Sequence, residues 1–375
     1  MYAKGTFGYD LQYLSRRGSM HLLASDDEQA QVIVSPQYQG KVFTSTVGGK
    51  EGRSLGFVNY KAFESAVLNE HMNGYGGENR LWIGPEGGRF SVFFKPGVRQ
   101  VYDNWRTPRP FDTEPWQVTG AGRKDIRMEK DLEILNYMGT HLRMNVSRKV
   151  RLMDAGEIAA ACGGLPEENL QAVAYATENT LTNRNDFEWT PQTGAVCIWI
   201  LDMFCTAPRS FTIVPFVQGD ERDLGPVATT AYFGEIPGGR YAEKDGCACL
   251  KTDGNFRSKI GLNSRRTKTI AGNYDPDSGH LAVAIFDLDR DAVYLNQEWD
   301  TAKDPLVGDV FNAYNDGPLA DGSIMGPFLE LESQSPAIFI VPGASMSHHH
   351  QVFHFLGEAA ALNVLTKRFF NYPIL

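Results

Sequence analysis

The chain has 375 residues, 42% hydrophobic and 22% charged, with a net charge of −9. That is ordinary globular composition, and a chain of this length buries a sizeable core without a disulfide or metal staple. The acidic balance, with no basic patch, argues against a nucleic-acid partner; there is no run of 18 apolar residues to span a membrane, and the five cysteines cannot all pair.

The first residues, Met1-Tyr2-Ala3-Lys4-Gly5, lack the apolar stretch of a secretory leader. This places the chain in the cytoplasm if the sequence is whole; a leader already removed would leave the same start.

Apolar residues recur mostly with a period of two. Residues 31–34 and 41–47 read as an early strand pair around a Pro/Gly turn. The stretch 73–88 holds six glycines in sixteen residues, with Asn79, Arg80, Trp82 and Glu86 among them. Glycine permits positive φ and close approach, and binding residues gather on loops held by a rigid scaffold. The stretch is therefore read as a loop presenting these four side chains to a polar ligand. Residues 89–95 read as a strand, and 100–118, rich in Pro and aromatics, as a long ordered loop.

Over 141–153, Leu142, Met144, Val146, Val150 and Leu152 share one parity, interrupted by Arg148. This is the pattern of a half-buried antiparallel strand. Residues 154–162 are expected to form a short helix closed by Gly163-Gly164. Strands follow at 170–182, 195–204 (apolar enough to be central), 211–217, 228–233, 281–287, 292–295 and 337–341, and a helix at 358–369. Cys247 and Cys249 are too close for a zinc-knuckle spacing. With no internal repeat or polar linker, the chain is expected to form one all-β domain over 1–375, a sandwich of large antiparallel sheets with few short helices. A division near 155–170 is the alternative.

Chemistry is expected in four places. Glu330 and Glu332, two apart on a strand, share one face with Cα atoms about 6.5–7 Å apart. They are candidate acid and base, as is Glu86. His348 and His350 share a strand face and, with a carboxylate, could ligate a divalent metal; no cofactor is otherwise indicated. Asn315 and Asp316, in a turn-like Asn-Ala-Tyr-Asn-Asp-Gly-Pro run, suit sugar recognition, and Arg257-Ser258-Lys259 could neutralise an acidic ligand or pair with surface carboxylates. Trp82, Trp105 and Trp299 lie near polar loops, where an indole can cover the apolar face of a sugar, whereas Trp199 reads as core. There is no P-loop or dinucleotide fingerprint. A mono- or oligosaccharide is the ligand these residues fit.

Several of these segments resemble the galactose mutarotase-like (aldose 1-epimerase-like) superfamily, as an uncharacterised bacterial branch. Asn79-Arg80 is similar to its Asn-Arg, where the Arg contacts the sugar; Leu181-Thr182-Asn183 to its Leu-Thr-Asn-His; Leu331-Glu332-Ser333-Gln334 to its Leu-Glu-Thr-Gln. Pro342-Gly343 and Phe353-His354-Phe355 resemble its Pro-Gly-Glu segment and last strand. The resemblance implies a β-supersandwich with a site on the concave face of a large sheet. It also implies a base where this chain has Ala344 and a catalytic His where it has Arg184, so Arg184 becomes a candidate substrate contact. Either Glu86, Glu330, Glu332 and His348 carry acid–base chemistry on a sugar, or the chain is a non-catalytic sugar binder; a metal-dependent hydrolase or lyase is the third reading.

Overall fold

The computed structural model describes residues 2–65, 67–165, 170–319 and 321–375. Two antiparallel sheets face each other. The eight-stranded sheet runs, in spatial order, His21–Ala24, Gln31–Ser35, Lys41–Thr46, Asn79–Gly84, Cys197–Cys205, Phe328–Gln334, Phe311–Asn315 and Ser258–Leu262. The ten-stranded sheet runs Tyr241–Lys244, Cys247–Lys251, Phe211–Pro215, Ile270–Asp275, His280–Phe286, Ser345–Leu356, Gln171–Asn183, His141–Leu152, Asp125–Leu135 and Gln117–Ala121.

Strand alternation decides what each sheet buries. Leu81, Ile83, Ile200 and Leu331 of the first sheet meet Val146, Val150, Leu181 and Val352 of the second in one apolar core. On the far side of the second sheet, Phe353 and Phe355 pack under the helices Ala155–Cys162 and Ala359–Phe370. On the first sheet, Ile33 and Phe43 meet Phe7 and Leu14 of the helix Phe7–Ser15. Among the described residues no helix is long and apolar enough to cross a membrane.

The helix Ala155–Cys162 starts where its sequence requires. The Asp154 side chain accepts from the Glu157 amide at 2.9 Å, and Glu157 accepts from the Asp154 amide at 2.9 Å, a reciprocal capping box. Gly163, at φ 66°, closes it. Asp154→Ala is expected to cost about 1 kcal/mol, read as a lower urea midpoint with unchanged slope.

The core also contains a polar layer between the sheets. Arg148, 1% exposed, donates to Asn179 Oδ1 at 3.0 Å and to Asn79 Oδ1. Asn79 donates to Asp202 Oδ1 at 2.6 Å, and His350 Nε2 meets Asp202 Oδ2 at 2.7 Å. The Ser333 hydroxyl lies 2.9 Å from both His350 Nδ1 and His348 Nε2. Beside this chain, His354 joins Glu78 Oε1 and His280, each at 2.9 Å. Arg148 thus breaks its strand's apolar parity because Asn179 on the neighbouring strand and Asn79 on the opposite sheet supply its acceptors.

Three expected strands, 228–233, 292–295 and 337–341, contribute only isolated bridges such as Thr229–Gly261, Tyr294–Val307 and Val196–Ile338. Residues 89–95 are not a strand either. Phe90, Val92, Phe93 and Phe94 are all buried in a loop pinned by Ser91, whose hydroxyl donates to the Glu86 carbonyl. Side chains buried at successive positions satisfy no one-sided sheet face, so alternation there was accidental. Within 73–88, by contrast, Asn79–Gly84 is a regular strand rather than a loop.

Candidate functional site

The face of the eight-stranded sheet turned away from the core carries the candidate site. Register fixes its members: Arg80 is opposite Leu201 and Trp82 opposite Trp199, while Glu330 is opposite Met203 and Glu332 opposite Leu201. On the next strands Tyr314 is opposite Glu330, Asn312 opposite Glu332, and Lys259 opposite Tyr314. Alternation therefore puts Arg80, Trp82, Trp199, Glu330, Glu332, Asn312, Tyr314 and Lys259 on one surface.

These groups are arranged as two buried ion pairs. Arg80 Nη2 donates to Glu330 Oε1. Lys259 Nζ donates to Glu332 Oε2 at 2.8 Å, and Trp199 Nε1 donates to the same oxygen at 3.1 Å. The Arg80 guanidinium lies 5.1 Å from the Trp82 ring centre, a cation–π contact. Loops close over the face. The Phe93 ring stacks on Trp105 at 5.8 Å, and Trp105 in turn lies 6.1 Å from Trp299.

A third carboxyl arrives from a different element. Glu86 follows the end of the Asn79–Gly84 strand, and its amide donates to Gln297 Oε1. Its carboxyl is pushed up to about 7, chiefly by burial; Lys259 pulls it down and Glu332 pushes it further up. Glu330 is also raised to about 7 by burial, against the opposing pull of Arg80. At the far end Asp309 is raised to about 6 by burial, while the Tyr232 hydroxyl that donates to it works the other way. A carboxyl raised toward neutrality by burial, beside one paired with an ammonium, is the kind of separated pair that acid–base chemistry uses.

Several expected residues lie elsewhere. Asn79 sits at the interior parity of its strand, and His348 belongs to the ten-stranded sheet and faces the space between the sheets. Asn79 holds Asp202 and Arg148, and His348 holds Ser333. Burial pushes His348 down to about 3. Asn315 is also interior and anchors the neighbouring loop, accepting from Gly254 N at 3.0 Å and donating to Phe256 O at 2.8 Å. Asp316 accepts from the Tyr314 hydroxyl at 2.7 Å and the Gly326 amide at 2.9 Å, so it braces the site's wall. Arg184 is exposed at the end of a ten-stranded-sheet strand, where the adjacent Asn183 amide donates to Ala344 O at 3.0 Å. The two positions that the resemblance marks as replaced thus lie together, away from the Arg80 face. His348 and His350 bracket a hydroxyl, and among the described residues no group of three His, Cys, Asp or Glu could hold a metal ion.

Other members of the site were not among the expected ones. Trp199 reads as core because its whole strand is apolar, and only pairing with Trp82 reveals its outward face. Lys259 was expected to meet an acidic ligand or carboxylates; its partner is the buried Glu332. Asp309, Tyr232 and Lys41 carry no local pattern that marks them.

The architecture defines a galactose mutarotase-like fold. A putative aldose 1-epimerase from Escherichia coli K12 superposes with a TM-score of 0.51 at 13% identity, covering 90% of this chain and 98% of that one. A galactose mutarotase-like protein from Lactobacillus casei gives 0.50 at 9% identity, covering 90% and 100%. A Synechocystis protein gives 0.51 at 13% identity, covering 91% and 97%. Identities this low speak for the fold alone. No curated protein matches the sequence. Residues 5–374 match the profile described as "Family of unknown function (DUF6786)", and the chain belongs to that family.

Proposed function

We propose that the Arg80 face binds a saccharide and that Glu86 and Glu332 move protons on it. The observation that carries this reading is the approach of two carboxyls from separate elements, one raised to about 7 and the other fixed by Lys259. Acid–base work on a small substrate needs groups that approach it from different directions. Glu332 takes the proton of the anomeric hydroxyl while protonated Glu86 gives one to the ring oxygen. The ring C–O bond breaks as the carbonyl forms, and reclosure on the other carbonyl face returns both protons. The net chemistry is isomerisation of a sugar. Arg80 and the indoles orient the ring. A half-buried acid poised near neutrality beside a carboxylate paired with Lys259 favours catalysis over binding alone.

A saccharide panel screened by thermal shift tests the binding. A true ligand at about 100 times its Kd stabilises by roughly 2.7 kcal/mol, and no shift with any mono- or oligosaccharide would sink the proposal. With a ligand in hand, Glu86→Gln and Glu332→Gln are each expected to slow anomer interconversion by about 10²–10⁴-fold, followed by exchange NMR. Unchanged rates in both variants would leave a binding protein.

A further inference from the structure

We infer that the saccharide carries an anionic substituent, a carboxylate, phosphate or sulfate, received between Lys41 and Arg80. This inference rests on the Proposed function for the location of the site. Lys41 ends the turn into its strand and is 1% exposed; Arg80 is 5% exposed. The two side chains run side by side over Gly77. A Cβ built there would lie 2.8 Å from Lys41 Cδ and 3.4 Å from Arg80 Cγ, and Gly77 has φ +124°. Only glycine leaves room for both stems.

Two buried cations placed together repel, and the neighbouring acids only partly offset them. Among the described residues, the Lys41 ammonium has a single acceptor, the Gly76 carbonyl at 2.9 Å. Its other surroundings are the Phe43 and Tyr75 rings, 5.4 and 5.8 Å from Nζ. Asp112 is near enough to attract it, but the Asn73 side chain and amide already occupy that carboxylate. Glu330 takes one Arg80 nitrogen and is itself raised by burial.

On and beside this face the buried polar atoms without a partner include three N–H donors and one hydroxyl, against two acceptors, Asn312 Oδ1 and Gln39 Oε1. Arg80 Nε and Trp82 Nε1, both buried, have no acceptor, nor do Trp105 Nε1 and Thr107 Oγ1 on the covering loop. A neutral polyol can also accept from these N–H groups through its hydroxyl oxygens, but it brings no charge to set against the neighbouring ammonium and guanidinium. An anionic group supplies acceptors alone, and its bonds to an ammonium and a guanidinium are charge-assisted. Arg suits this task because its planar fork matches carboxylate and phosphate oxygens.

The test compares affinities by calorimetry for glucose, glucuronate, glucose 6-phosphate and glucose 6-sulfate at pH 7. At least one acidic sugar is expected to bind about tenfold or more tightly than glucose, and the preferred acid identifies the group. Lys41→Met should cut that preference about tenfold, the worth of one charge-assisted bond, and Lys41→Arg should restore part of it. Lys124→Met, at an exposed pair with Asp26, should leave the ratio alone. If Lys41→Met does not fold, competition decides: inorganic phosphate or sulfate should displace the acidic sugar and spare glucose. Binding of glucose at least as tight as that of every acid would overturn this inference while leaving the Proposed function standing. Binding of none of these or any other saccharide would overturn the Proposed function instead.

Discussion

Arg80→Ala is expected to abolish saccharide binding and to destabilise the fold by ~3–5 kcal/mol at pH 8, because removing one partner strands the other charge in the interior. The stranded group is Glu330, which loses the Arg80 bond inside a loop-covered face. The penalty depends on pH in a definite direction. Burial already raises the Glu330 carboxyl to about 7 with Arg80 present, and losing the cation raises it further. A carboxyl whose folded-state value exceeds its unfolded value favours folding fully below the unfolded value, near 4.3, and loses that contribution as pH rises through the folded value. The variant should therefore be close to wild type in stability at pH 5 and much weaker at pH 8. Urea midpoints at both values check this. Arg80→Ala combined with Glu330→Gln should recover stability at pH 8 without recovering binding. A single variant equally destabilised at both values would show that Arg80 acts through packing rather than charge.

The second large effect belongs to the interior histidines. His348 is lowered to about 3, first by burial and then by His350, and His280 is lowered well below its usual value by burial and by His354. A base depressed in the folded state contributes stability above its unfolded value, about 6.5, and loses it as pH falls toward the folded value. Wild-type stability should thus drop between pH 6.5 and 3, by roughly 5 kcal/mol for a shift of His348's size. Glu86 and Glu330 push the other way between pH 7 and 4.5, so the loss should be shallow at first and steep below pH 4.5. Thermal melts across that range check the shape. His348→Gln should flatten the steep limb, and an unaltered limb would mean that the histidine does not titrate between the sheets.

The legibility of the sequence followed parity. Where one sheet face is apolar and the other polar, as at His141–Leu152 and Gln171–Asn183, alternation located the strand almost to the residue. The helix Ala155–Cys162 was expected from its close at Gly163-Gly164, while the Asp154–Glu157 capping box that starts it emerged only in the structure. Alternation failed at Asn79–Gly84 and Cys197–Cys205, where both faces are buried, so outward Trp199 looked like inward Ile200. The same cause misplaced Asn79, whereas His348 lies on a plainly alternating stretch whose buried face is the interior one. Each is polar within a stretch read as functional, yet the ladder turns each toward the opposite sheet. Arg80 and Trp82 stood out for their glycine-rich setting and Glu330 and Glu332 for their spacing of two, and the strand ladder puts all four on one face. Lys41 did not stand out, since a lone lysine at a strand's start has no distinguishing neighbour; only folding brings it to Gly77 and Arg80.

Bonds within and between the sheets join positions far apart in the chain. Glu78 and His354 are 276 positions apart, Arg80 and Glu330 are 250, and Asp202 and His350 are 148. Loops this long are closed late, and folds dominated by distant pairings assemble slowly. During synthesis, the chain up to residue 205 therefore presents Glu78 and Asp202 before their histidine partners His354 and His350 on Ser345–Leu356 have been made. Emerging strands in that interval have charged inner faces that no neighbour yet neutralises. The final strand acts as the keystone of assembly, and the growing chain is most exposed to wrong pairing until it arrives.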